Sequence, residues 1–227
     1  MIVPIKKITK REAEWLGTHY CKHSHTYLHH YDCYLQEKPV NAPYYERVGY
    51  FDLETTGFKA DFAYIFSYAI LDEDSGKILG RVLEPSEIRN GHFDKRLVAE
   101  MCRDLKGFHR IVVHYGGDRR FDCPFARTRS IKHGHSFPLY KDTYVSDTWL
   151  MSKNKLCLRS NRLATIAEFF GIPAKTHPLT PDVWQRASAG DQKSLDFIWA
   201  HNQEDVITTQ AVYKLLEPYN RTAKTSI

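Results

Sequence analysis

Hydrophobic and polar positions follow different rules on either side of residue 47. Before it, residues 5–17 carry apolar spacing for one short helix, with Thr9 as N-cap and Glu12 three residues on, as in a capping box. Residues 18–34 crowd His, Cys and Tyr without a clear period. Residues 38–45, with Pro39, Asn41 and Pro43, predict an extended linker, because proline disfavours helix at itself and at the residue before it. After it, residues 47–54 read as a short strand ending in acids, and 62–71 as a buried strand. A turn at 74–76 and a strand at 77–83 complete a meander. Leu97, Val98, Met101 and Leu105 stand at helical spacing within 93–105, and RIVVH at 110–114 is a buried strand of the parallel kind. Residues 122–133 predict a helix, and 140–149 include a further strand. Helices follow at 162–170 and 192–216, with a short turn at 181–187. This order predicts an α/β domain over 47–227, a mixed sheet flanked by helices, with a small His/Cys-rich appendage over 1–46.

Composition narrows the class. The 227 residues are 42% apolar and 26% charged, which excludes disordered, collagen-like and low-complexity readings. No apolar run approaches the ~18 residues of a spanning helix, and the N-terminus lacks the apolar core of a secretory signal. A soluble, cytoplasmic protein is expected, with no membrane partner. Five Cys, an odd count, fit a reducing compartment.

Three acidic segments carry candidate chemistry. Asp52 and Glu54 stand two apart on a strand, so they share one face, at a strand end where α/β proteins place ligands. Two solvated acids would look the same, but paired carboxylates repel unless a cation neutralises them, and oxygen-only ligands suit Mg²⁺ or Mn²⁺. Asp122 lies in an apolar run, FDCPF, just past the buried strand and a Gly-rich bend, where an unpaired acid is costly. His201 and Asp205 are four apart on the last helix and share a face.

FDLETTG, GGDRRFDCPF and HNQEDV together resemble, in order and spacing, the three motifs of the DEDD (DnaQ-like) 3′–5′ exonucleases, which have a ribonuclease H-like fold. The resemblance implies hydrolysis of single-stranded DNA or RNA to 5′-mononucleotides with two Mg²⁺ or Mn²⁺ ions. It implies that Asp52 bridges both metals, that Asp205 and Asp122 each serve one, and that Glu54 binds metal and positions the attacking water. Thr55 and Thr56 fall where the family approaches the terminal nucleotide, though strand-end capping explains them equally. Leu53 or Phe125 would pack on its base. The third motif departs from the family: three residues separate His201 from the acid, the spacing of the branch that carries Tyr there. Imidazole titrates near neutrality, so His201 is read as the general base. Two alternatives remain, a nucleic-acid-binding module without catalysis and a ribonuclease H-type endonuclease.

The net charge of +5 is concentrated. Residues 117–162 hold ten Lys/Arg against four acids, a basic region beside an acidic site, as a phosphodiester track requires. Lys153, Lys155, Arg159 and Arg162 are the expected backbone contacts. In the appendage, Cys21 and Cys33 with two of His23, His25, His29 and His30 could ligate Zn²⁺; Cys21, His25, His30 and Cys33 are the expected set.

Overall fold

A computed structural model describes residues 10–37, 39, 42, 46–139, 142–173 and 177–220. The chain divides between Glu46 and Arg47 into two compact units.

The first unit holds helix α1 (Lys10–Thr18) and helix α2 (Tyr31–Glu37). Between them, Tyr20 and Thr26 form an antiparallel bridge that folds 20–26 into a tight loop. The α2 helix was not foreseen from the sequence. Thr9, the expected cap, lies outside the described residues, as do most positions of the expected linker. Among its described residues, Leu16, Cys21, Tyr27, Tyr34 and Ala42 are the buried apolar side chains.

The second unit is built on a five-stranded sheet of order β3-β2-β1-β4-β5. Its strands are β1 (Val48–Thr55), β2 (Ile65–Asp72), β3 (Ile78–Val82), β4 (Arg110–Val113) and β5 (Tyr144–Asp147). The first three form the expected antiparallel meander, whereas β4 joins β1, and β5 joins β4, in parallel. Helices α3 (Pro85–Arg89) and α4 (Lys95–Leu105) make the crossover from β3 to β4. Helices α5 (Asp122–Lys132) and α6 (Thr148–Lys155) follow β4 and β5. Then come α7 (Leu163–Phe170), α8 (Pro181–Ser188) and the 25-residue α9 (Gln192–Leu216).

Several elements start or end where local residues dictate. Residues 181–187 form a helix, not a turn, because Pro181 enters at its first position, where its missing N–H is no loss. The strand expected within 140–149 ends at Asp147, whose carboxylate accepts from Trp149 N (2.9 Å) and starts α6. The helix expected from residue 93 starts at Lys95, since Phe93 has φ 44°.

Strand alternation sorts β1 into two faces. Phe51 and Leu53 pack with Ile70, Ile111 and the α4 residues Leu97 and Met101 in the main core. Tyr50, with Ala69, Leu71 and Val112, packs on the other face against Val206 of α9, with Trp199 and Tyr213 beside it. Asp52 and Glu54 therefore project on the side covered by α9. A bulge between Glu54 and Thr55, where pairing shifts from Ser67 to Ile65, ends the regular ladder there.

Candidate active site

On the helix that covers this face, Asn202 and Asp205 are buried and His201 is half-buried. The Asn202 amide donates to Asp52 Oδ2 at 2.6 Å, tying the strand acid to the helix. His201 Nε2 lies 3.6 Å from Glu54 Oε1 and 3.4 Å from Asp205 Oδ2. Its Nδ1 lies 2.5 Å from the His177 carbonyl, which can only accept, so Nδ1 carries the proton. Nε2 is thus the nitrogen whose lone pair can face the two acids. His177 is itself held twice by Glu204, from its N–H (3.2 Å) and its Nδ1 (2.8 Å).

Asp122 reaches the site from the bend after β4. Phe121 N donates to the Tyr115 carbonyl and Cys123 N to that of Gly116, which folds 115–123 back on itself. A Cβ at Gly116 would overlap Asp122 Oδ2, so glycine permits the carboxylate's close approach to the backbone. Asp147 pins the same bend by accepting from Tyr115 N (2.9 Å) and Gly117 N (3.1 Å). Burial pushes the Asp122 carboxyl well above its ordinary range, and the charges of Asp52 and Asp147 push in the same direction.

These donors fit a hard divalent cation. Glu54, His201 and Asp205 present ligand atoms within 4.8 Å of one another, and Asp122 lies near enough to Asp52 to feel its charge. Asn202 Oδ1 is buried without a hydrogen-bond partner, a polar atom that a cation's water could satisfy. Clustered acids that repel one another are the arrangement a cation relieves.

A family model described as RNase_H_2, of the RNase_H superfamily, matches residues 49–217. The chain belongs to the RNase H superfamily. No curated protein matches the sequence. The mixed five-stranded sheet with its flanking helices is an RNase H-like fold, and domains of this superfamily are usually nucleases that use divalent metals.

Beside the acids of this RNase H-like domain lies a cleft of about 320 Å³, lined by residues 53–58, Phe121 and Trp184. Leu53, Thr55 and Thr56, all expected at the substrate, line it. Thr55 Oγ1 also donates to the Gly57 carbonyl, and Thr56 exchanges hydrogen bonds with Tyr64, so both hold the strand end as well. Phe125 does not line the cleft. It is buried in the core, and Phe121, one turn earlier, takes the place expected of it.

The basic region is also redistributed. Arg129 is buried against Asp94, bonded through both Nε (2.7 Å) and Nη2 (2.5 Å), and offers no charge to a phosphodiester. Arg159 pairs with Glu168 in a separate hollow that none of the four acids lines. Arg162 is exposed where α7 begins. Lys153 and Lys155 are exposed on α6, with Lys153 Nζ 5.1 Å from the centre of the Trp149 ring. Arg120 lies over the same ring at 4.6 Å and over Tyr115 at 5.4 Å, and the two rings meet edge to face. This surface adjoins the bend that delivers Asp122; its cations lie in the expected basic region, and its aromatic rings, Tyr115 and Trp149, were not foreseen.

Asn202, Asp147, His177 and Glu204 were likewise missed. Asn202 and Glu204 sit inside HNQEDV, so the third motif carried their signal. In the first unit, Cys21, His30 and Cys33 come together as expected, but His23, not His25, completes the group. None of the described helices is long and apolar enough to cross a membrane.

Proposed function

We propose that the chain is a metal-dependent 3′–5′ exonuclease of the DEDD type, acting on single-stranded DNA or RNA. The carrying observation is the convergence of Asp52, Glu54, Asp205 and the His201 imidazole on one face of β1, with Asp122 brought beside them. The adjoining cleft, with Phe58 exposed at its wall, suits one unpaired terminal nucleotide.

Asp52, Glu54, Asp122 and Asp205 would hold two Mg²⁺ or Mn²⁺ ions, which supply charge stabilisation to the attacked phosphoryl group and acidify the water. The chain's own residues do the rest. Leu53, Phe121 and Trp184 hold the terminal base, and Lys153 and Arg120 attract the backbone upstream without reading sequence. His201, its Nδ1 proton committed to the His177 carbonyl, accepts the water's proton at Nε2. The water oxygen bonds phosphorus as the bond to the 3′-oxygen breaks; the departing oxygen takes a proton from solvent, leaving a 3′-hydroxyl and a 5′-mononucleotide. Glu204 keeps the His177 carbonyl in place and is a positioning residue.

Digestion of 3′- and 5′-labelled single-stranded DNA and RNA with Mg²⁺ or Mn²⁺ tests this reading. Single nucleotides released stepwise from the 3′ end are expected. Internal cuts in an RNA–DNA hybrid would replace it with the endonuclease, and binding without cleavage with the silent module.

A further inference from the structure

The first unit poses a separate problem: how a segment with five buried apolar side chains among its described residues stays folded. Domains this small rarely bury enough surface without a disulfide or a metal. Cys21 and Cys33 are free thiols, so no disulfide joins them.

The two thiols instead face two imidazoles. The four sulfur-to-Nδ1 separations are 3.9 Å (Cys21–His23), 3.6 Å (Cys21–His30), 3.3 Å (Cys33–His23) and 3.6 Å (Cys33–His30). Zn–S near 2.3 Å and Zn–N near 2.0–2.1 Å, at a tetrahedral angle, require an S···N edge of about 3.5–3.6 Å. The observed values bracket it. Hydrogen bonds do not account for the group, because each Nδ1 has a single in-plane site, one N–H or one lone pair, yet each faces two sulfurs. A single central cation satisfies all four at once.

Local backbone explains the spacing. Ser24 N donates to the Cys21 carbonyl and Cys21 N to that of His25, closing a knuckle that turns Cys21 and His23 to one side. Ser24 takes φ 61° at its apex. His30 precedes α2 and Cys33 lies in its first turn, with Cys33 N bonded to the His30 carbonyl. His25 stays exposed, tilted against the His30 ring at 4.3 Å.

We propose that Cys21, His23, His30 and Cys33 bind one structural Zn²⁺ ion, and that this ion holds the first unit together. Four protein ligands close the coordination sphere and leave no position for a reacting water, which separates this site from the carboxylate cluster.

The test uses the full chain, purified without added metal. Elemental analysis is expected to give about one zinc per chain, and cobalt reconstitution an intense visible spectrum with a thiolate charge-transfer band that oxygen ligands cannot produce. His23→Ala and Cys33→Ser are expected to lose the zinc and the band, while His25→Ala keeps both. Should Cys33→Ser fail to fold, the wild-type cobalt spectrum and the two histidine variants still decide. Wild-type chain without zinc and without the band overturns the site. Loss in His25→Ala with retention in His23→Ala overturns this ligand set.

Discussion

The two cation-ready clusters differ in ligands and in what surrounds them. In the larger unit, carboxylates and one imidazole stand between β1 and α9, on a sheet whose strands beside β1 are fully buried, so the fold holds the ligands. In the smaller unit, two sulfurs and two imidazoles stand among a few buried aromatics, and on our proposal the ion holds the fold. Hard oxygen donors on a rigid frame suit exchangeable ions that do chemistry; soft, closed donors on a weak frame suit a permanent one.

That contrast can be broken from either side. His201→Ala should lower turnover by roughly 10²–10⁴-fold, the contribution of a general base, without changing zinc content. Steady-state rates near wild type would remove His201 from the chemistry.

Arg129→Met leaves Asp94 buried without its main partner, and should cost the larger unit about 3–5 kcal/mol. For a domain of this size that is a fall of roughly 6–20 °C in melting temperature. Its zinc content should not move. Burial alone would raise the Asp94 carboxyl, but Arg129, the Ile65 N–H and His133 outweigh it and hold it below the ordinary carboxylate value. A depressed carboxyl contributes stability above its unfolded pKa, near ~3.9, and loses it as pH falls further. The melting advantage of wild type over Arg129→Met should therefore shrink below about pH 4. An advantage that grows in acid would refute the pairing.

Gly116→Ala should displace Asp122 and lower turnover by roughly 10²-fold, with the fold and the zinc retained. The smallest effect is expected of Glu204→Gln. Weakening one hydrogen bond to His177 is worth about 1 kcal/mol, roughly a fivefold fall in kcat with little change in KM. A change confined to KM would place Glu204 outside the support of His201.

What could be read from the sequence was what depends on local period. Asp52 and Glu54 share a face because strands alternate, and His201 and Asp205 share one because helices turn every 3.6 residues. What escaped depends on partners far along the chain or on a single backbone angle. Arg129 counted as a surface cation because nothing nearby announces Asp94, 35 residues earlier. Phe121 and Phe125 both belong to one apolar run, and only the packing of α5 into the core decides which faces the cleft. His23 and His25 flank Ser24 symmetrically in sequence, and the positive φ at that residue accompanies the choice between them.

The central claim is that the three acidic segments form one catalytic centre. Its most direct test compares wild type with Asp52→Asn on a 3′-labelled single strand with Mn²⁺, measuring strand binding and nucleotide release in parallel. Release of the terminal mononucleotide is expected to drop to background in Asp52→Asn while strand binding stays within a few-fold of wild type. Release by Asp52→Asn at the wild-type rate would contradict that claim.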